Sequence, residues 1–214
     1  MIIKTESIKN LLEDTFKKRC ENIKISDILL VQNLTIDSLD YDNNKIPVFL
    51  DEIKKFKNLR YLEMCNIFID NDLINILLFL PYIENVIFRN CVFSDELSVI
   101  DSSIKLKRIM IDSCRGFKFI YISNIVTLKS ITVKDSNFSS FNGLRRIPLS
   151  YLEIIGNCFI SRFNISYLNV DKLMFSSNIY NKYKEKFKDC SSRLIIYSDD
   201  GFYINVQIQN GVIM

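Results

Sequence analysis

Leu106-Lys-Arg-Ile109-Met-Ile111-Asp-Ser-Cys114 is repeated, 22 residues further on, as Leu128-Lys-Ser-Ile131-Thr-Val133-Lys-Asp-Ser136. Both stretches have apolar residues at the first, fourth and sixth positions and a small polar residue at the ninth. The same unit can be followed outward in both directions. Internal repetition is therefore the feature from which the fold is predicted.

The repeat units begin at Val31, Leu59, Ile83, Leu106, Leu128, Leu149, Val170 and Ser191. Their fourth and sixth positions, from Leu34 and Ile36 to Leu194 and Ile196, are apolar in sixteen of sixteen cases, which chance does not supply in a chain that is 48% hydrophobic. Alternate residues of a strand point to opposite faces. Each unit is therefore predicted to contribute one short strand to a parallel sheet with one buried and one solvent-facing side.

Two further positions of the unit also follow a pattern. The ninth position holds Cys91, Cys114, Ser136, Asn157 and Asn178, small polar residues suited to bonding the backbone where it turns. The eleventh position holds Phe93, Phe138, Phe159 and Tyr180, which predicts an aromatic column inside the coil.

The string L-x-x-L-x-L-x-x-N/C-x-L, spaced at 20 to 29 residues, resembles the leucine-rich repeat family over residues 28–198. The resemblance implies an α/β fold: a curved solenoid of about eight repeats, with a parallel β-sheet on its concave face and helices or turns on its convex face. It also implies that the concave strand face binds another protein.

The two ends of the chain are predicted to cap this array, because an open stack exposes its core. Residues 1–27 include Ile8, Leu11, Leu12 and Phe16 on one helical face, which predicts a helical N-terminal cap. Asp199-Asp200-Gly201 lies between two alternating apolar runs and predicts a β-hairpin. Residues 199–214 would then form a C-terminal capping strand over the edge of the sheet.

Composition excludes several classes of function. The 28 basic and 25 acidic residues leave a net charge of +3, too small to indicate a general nucleic-acid or anionic-membrane binder. The six cysteines contain no C-x-x-C pair and are predicted to be reduced structural thiols. With no signal sequence or apolar run of membrane-spanning length, we expect a cytoplasmic or nuclear monomer that does not enter a membrane.

Catalysis finds little support in the residue types. The chain has no histidine, which excludes the histidine-dependent nucleophile and metal mechanisms, and none of its five glycines forms a phosphate-binding loop. Asp40-Tyr-Asp42-Asn-Asn44 resembles the start of a calcium loop, but Lys45 stands where that loop needs glycine. We therefore predict no enzyme activity, no catalytic residue, no metal and no cofactor.

The solvent-facing strand positions are the candidate binding site. Aromatic, Met and Arg side chains there are typical of protein interfaces. The predicted binding residues are Tyr61, Glu63, Arg89, Arg108, Met110, Lys134 and Tyr151.

These residues predict a protein-binding scaffold or adaptor with an unidentified protein partner. Three alternatives remain open at this point. One is an RNA-associated protein, in which Lys107 and Arg108 beside Tyr151 meet phosphate and base. Another is an F-box-like adaptor that recruits through its N-terminal helix, and the last is a solvated face with no ligand.

Overall fold

The structure, a computed structural model, describes residues 3, 6–37, 51–187, 193–197, 203–206, 208–209 and 212–213. For residues 6–7 and from 193 onward it describes the backbone alone. The strands are β1 Asn33–Asp37, β2 Tyr61–Cys65, β3 Phe68–Ile69, β4 Asn85–Arg89, β5 Val92–Phe93, β6 Arg108–Asp112, β7 Ser130–Lys134, β8 Asn137–Ser140, β9 Leu149–Ile155, β10 Phe159–Arg162, β11 Val170–Ser176, β12 Arg193–Tyr197, β13 Tyr203–Val206, β14 Ile208–Gln209 and β15 Val212–Ile213.

The main sheet of the described chain has nine strands in the order β1-β2-β4-β6-β7-β9-β11-β12-β13. Each strand from β1 to β12 pairs parallel with the next, and β13 pairs antiparallel with β12. Short two-stranded pairs, β3 with β5 and β8 with β10, follow the same parallel order. The predicted α/β class with a parallel sheet is confirmed.

The register of the sheet follows the repeat unit. Ile109 lies opposite Ile131, Ile111 lies opposite Val133, and all four side chains are buried. Successive residues of this kind are 28 positions apart between β1 and β2 and 21 apart between β9 and β11, yet the pairing stays in step. The predicted shared interior of apolar pairs is confirmed, and the connecting segments absorb the differences in length.

Helices lie before and between the strands. The α-helices are α1 Glu6–Phe16, α2 Ile25–Ile28, α3 Asn71–Ile74 and α4 Ser177–Tyr183, residues 51–53 are also helical, and the 3-10 helices are Cys20–Asn22, Asn75–Phe79, Phe119–Ile122 and Lys184–Lys186. In α1, Ile8 and Leu12 are fully buried in the core. The Asp70 carboxylate caps α3 by accepting the Leu73 N–H at 2.9 Å, which satisfies a donor that the helix leaves unpaired.

A chain of phenylalanine rings runs through the interior. Phe93 lies between Phe88 and Phe117, with ring centroids 5.1 and 5.2 Å apart, and most of the successive contacts are edge-to-face. The same line continues through Phe119, Phe138, Phe141 and Phe163 to Phe175 and Phe187. Edge-to-face contacts of this kind stabilise a core beyond the area that they bury.

A ladder of buried polar side chains crosses four turns of the chain just beyond the sheet. Cys91 N–H donates to Cys114 Sγ at 3.3 Å, Cys114 N–H donates to Ser136 Oγ at 2.9 Å, and Ser136 N–H donates to Cys158 Sγ at 3.4 Å. The side chains of Cys114, Ser136 and Cys158 thus each satisfy a backbone donor of the preceding turn, and the Cys91 thiol donates to the Met64 carbonyl of the turn before it at 3.3 Å. We call Cys91, Cys114, Ser136 and Cys158 the polar ladder.

Two predicted positions in the later units are wrong by one residue. Cys158, not Asn157, occupies the polar ladder, and Asn157 is exposed. Phe159 is 53% exposed, whereas Ile160 is 2% exposed and pairs with Phe138. The unit of β9 has one more residue than the preceding unit between Gly156, whose left-handed φ of +71° matches that of Asp135 at the same position, and Cys158. The register is restored in β11, which pairs in step with β9.

Tyr180, half-buried in α4, packs against Phe187 at the end of the ring chain, with ring centroids 5.4 Å apart. Asn178 is exposed in the same helix, and its amide donates to the Gly156 carbonyl of the preceding turn at 3.1 Å, the kind of backbone contact predicted for the ninth position. Cys190, the calcium-like stretch Asp40–Asn44 and the hairpin turn Asp199–Gly201 lie outside the described residues. Along the described chain, every helix is too short or too polar to cross a membrane.

Candidate functional site

The solvent-facing side chains of the sheet form three rows, which the strand register defines. Row three holds Tyr61, Asn85, Arg108, Ser130 and Tyr151, row five holds Glu63, Ile87, Met110, Thr132 and Glu153, and row seven holds Cys65, Arg89, Asp112, Lys134 and Ile155. All seven residues predicted from the sequence therefore lie on one face, which we call the open face.

A groove of about 570 Å³ runs along rows three and five of the open face. Tyr61 on β2 and Tyr151 on β9 mark its two ends, four strand steps or ~19 Å apart at the usual spacing of strands. Its lining includes Asn85, Ile87, Arg108, Met110, Lys129, Ser130, Thr132 and Ser150. The groove thus brings together four predicted residues: Tyr61, Arg108, Met110 and Tyr151.

Two predicted residues, Glu63 and Arg89, lie outside the groove lining and bond to each other. Arg89 Nε donates to Glu63 Oε1 at 3.0 Å, and its guanidinium also bonds the Asp112 carboxylate, which is 4% exposed. The hydrogen bond to Glu63 raises the pKa of Arg89. These ion pairs hold the side chains of Glu63, Arg89 and Asp112 in place beside the groove.

Tyr61 is held at the groove end by the same network. Its hydroxyl donates to Glu63 Oε2 at 3.3 Å. Burial raises the pKa of the Tyr61 phenol, and the neighbouring Glu63 carboxylate raises it further. At the other end, the Lys172 ammonium lies 5.6 Å from the centre of the Tyr151 ring. Both tyrosine side chains are therefore positioned before any partner arrives.

Carboxylates near the groove are already engaged by the protein. Glu84 accepts from Lys107 at 3.0 Å and from Arg60 at 3.2 Å, and the bond to Lys107 lowers the pKa of Glu84. In row five, Glu153 accepts the Thr132 hydroxyl at 3.0 Å.

Three cations of the open face, in contrast, have no ion-pair partner in the described part of the chain. Arg108 and Lys129 line the groove, and Lys134 lies in row seven beside Asp112. None of the three forms an ion pair with any residue that the structure describes. The centre of the groove therefore carries positive charge beside the apolar side chains Ile87 and Met110.

Several lining residues are not among those predicted from the sequence, notably Ile87, Lys129 and Thr132. The repeat spacing already places them at the fifth, second and fifth positions of their units, on the solvent-facing side. The repeat spacing does not predict how deeply each side chain is buried or which charged side chains form ion pairs. Those two properties separate Lys129, which has no carboxylate partner among the described residues, from Lys107, which has one.

Compared with known proteins, the chain matches no family profile and no curated protein sequence. Within the described part of the chain, no three cysteine or carboxylate side chains come together in a way that could hold a metal ion.

Proposed function

We propose that the chain is a leucine-rich-repeat solenoid of about eight units that acts as a non-enzymatic, intracellular protein-binding scaffold or adaptor. The in-step parallel register and the polar ladder support the repeat assignment. The groove between Tyr61 and Tyr151 is the observation that supports binding.

The chemistry of the groove favours a protein partner. Ile87 and Met110 lie side by side on β4 and β6, half-buried and open to the groove. Aromatic, Met and Arg side chains around a desolvated apolar centre are what protein interfaces select. Partner binding would bury this apolar floor and enclose it between the two tyrosine rings.

The groove is also preformed. Its floor consists of paired strands. The Tyr61 hydroxyl donates to the Glu63 carboxylate, and the Lys172 ammonium lies over the Tyr151 ring, so both tyrosines are held in place. A partner therefore loses little affinity to the ordering of this surface. At ~19 Å the groove fits an extended segment of about six residues.

Affinity capture tests this proposal with the full chain and native lysate, in the presence and absence of nuclease. Arg108→Glu and Tyr151→Ala alter the groove, and Arg162→Glu is the matched control on β10, outside the main sheet. We expect the same protein to be captured by the wild type and the control and lost from both groove variants. Equal recovery by all four chains would contradict the proposal.

A photo-crosslinking experiment locates the contact directly. A p-azidophenylalanine replaces Met110 in one chain and the exposed Ser103, in a turn before β6, in another. The captured protein should be cross-linked from the first position and not from the second. Cross-linking from Ser103 alone would place the partner elsewhere.

Single-stranded RNA is the second candidate, favoured by Arg108 and Lys129, which line the same groove as Tyr151, and by Lys134 on the same face. The carboxylates Glu63 and Glu153 on the same face oppose a phosphate backbone. Loss of the captured partner on nuclease treatment, with the groove dependence retained, would favour RNA.

A further inference from the structure

The charge in the groove is positive, because the nearby carboxylates are bonded to other side chains of the protein. Glu63 bonds Arg89 and Tyr61, Glu84 bonds Lys107 and Arg60, and Thr132 donates to Glu153. Arg108 and Lys129, which line the groove, form no ion pair within the described chain. A group entering the centre of the groove therefore meets two cations that no described carboxylate pairs with.

We infer that the groove binds an acidic linear protein segment, in which one large apolar side chain is flanked by carboxylates. This inference rests on the proposed function and specifies its partner class. Charge complementarity carries it: the cations at Arg108 and Lys129 receive the carboxylates, and a charge-assisted bond to a guanidinium is among the stronger contacts that a groove can offer.

The apolar anchor of such a segment has a place to sit. Ile87 and Met110 are neighbours in row five and form the apolar part of the groove floor. Methionine adapts its shape to an incoming apolar group. The anchor would lie between the two tyrosine ends, so that its carboxylate neighbours reach Arg108 and Lys129.

The remaining lining residues suit the main chain of an extended segment. Asn85 and Ser130 lie in row three on either side of Arg108, and Ser150 follows at the rim. Their amide and hydroxyl groups donate and accept hydrogen bonds, as peptide groups require. The groove thus offers cations, neutral polar groups and an apolar floor within ~19 Å.

The same arrangement is less suitable for nucleic acid. Row five begins with Glu63 and ends with Glu153 on the strands that bound the groove, so a phosphate chain crossing it meets a carboxylate at each end. Nucleic-acid affinity grows with the number of phosphates neutralised, and two lining cations neutralise few. A short acidic peptide, unlike a phosphate chain, can have its carboxylates only at the positions that face Arg108 and Lys129.

Peptide selection tests the inference with the full chain immobilised. A phage library of random dodecamers is selected on the wild type, on Arg108→Glu/Lys129→Glu, and on Arg145→Glu/Arg162→Glu. The last variant makes the same change of charge at two exposed arginines outside the groove lining. Circular dichroism and thermal unfolding confirm that the three chains are equally folded.

We expect the wild type and the control to select peptides with several Asp or Glu residues around one large apolar residue. The groove variant should select basic peptides instead. The best wild-type peptide, labelled with fluorescein, should bind the groove variant about tenfold or more weakly in fluorescence anisotropy and the control unchanged. Its affinity for the wild type should also fall as salt is raised.

The possible failures are distinguishable. Selected peptides that lose binding on Tyr151→Ala but carry no net negative charge would overturn this inference and leave the proposed function intact. Peptides that bind all variants equally, or no selected peptide at all, would overturn both. A fluorescein-labelled twelve-nucleotide oligouridylate that binds more tightly than any selected peptide, and is lost from the groove variant, would overturn the acidic segment in favour of RNA.

Discussion

Replacing Ser136 by alanine should weaken the fold at a single, identifiable hydrogen bond. Ser136 is 1% exposed, and its Oγ accepts the Cys114 N–H at 2.9 Å. The hydroxyl also donates to the Lys134 carbonyl at 2.6 Å, but that carbonyl still receives the Ser113 N–H at 2.9 Å in the variant. Ser136→Ala therefore leaves one buried N–H without an acceptor.

The expected loss follows from that count. An unsatisfied buried donor costs about 1–3 kcal/mol, which is a large share of the ~5–15 kcal/mol that holds a typical domain folded. Ser136→Cys should cost less than about 1 kcal/mol, because thiols accept the corresponding N–H groups elsewhere in the polar ladder, at 3.3 and 3.4 Å. Ser139→Ala, on the exposed face of β8, should stay within about 0.5 kcal/mol of the wild type.

Urea unfolding followed by far-ultraviolet circular dichroism measures the three variants against the wild type. Amide hydrogen exchange supplies a local readout, since the Cys114 N–H should exchange faster in Ser136→Ala than in Ser136→Cys. If Ser136→Ala is as stable as Ser139→Ala, the Ser136 hydroxyl does not stabilise the fold. If Ser136→Cys is as unstable as Ser136→Ala, the loss is not due to the unpaired Cys114 N–H.

Three further predictions concern other parts of the fold. Gly143→Ala should lower the free energy of unfolding by about 2 kcal/mol or more, because φ is +101° there and an added Cβ would lie 2.4 Å from the Phe119 carbonyl oxygen. Arg89→Met should lower it by about 1–3 kcal/mol, since it leaves the buried Asp112 carboxylate without its cation, and adding Asp112→Asn should recover part of the loss. Burial raises the pKa of the Cys158 thiol from 9.0 to about 11. As the pH rises, the unfolded chain therefore loses the thiol proton at a lower pH than the folded chain does. The free energy of unfolding should fall between about pH 9 and 11.

Each of these has a control in urea unfolding. The exposed Arg145→Ala controls for Gly143→Ala two residues away, and an equal loss in both would contradict the backbone explanation. For Arg89→Met, a double variant no more stable than the single one would show that Asp112 is not the cause. For the pH dependence assigned to Cys158, the control is Cys158→Ala. Its free energy of unfolding should fall less than that of the wild type between about pH 8 and pH 10.5.

The sheet could be predicted from the sequence because burial imposes a strict period on it. Pairs such as Ile109 and Ile111 recur with a spacing that only a strand satisfies. The same period places Tyr61, Arg108, Met110 and Tyr151 on the open face. Predictions failed first where the unit has a single additional residue between Gly156 and Cys158, which places Cys158 in the polar ladder and Phe159 outside the core.

The content of the groove could be predicted only in part. Strand positions determine which side chains share a face, but not which charges pair across strands. The sequence does not distinguish Arg89 from the other arginines at solvent-facing positions. In the structure, its guanidinium forms ion pairs with Glu63 and Asp112. Arg108 stays without such a partner in the described chain because its row neighbours are Asn85 and Ser130.

The constant register over connecting segments of unequal length has a consequence for protein engineering. Equivalent strand residues are 28 positions apart at the start of the sheet and 21 apart later. The strands nevertheless pair in the same register in both places. A reporter tag or a grafted epitope placed in a connecting segment would therefore leave the groove geometry intact. The connecting segments can diversify by changes of length, independently of the strand face, which diversifies by substitution.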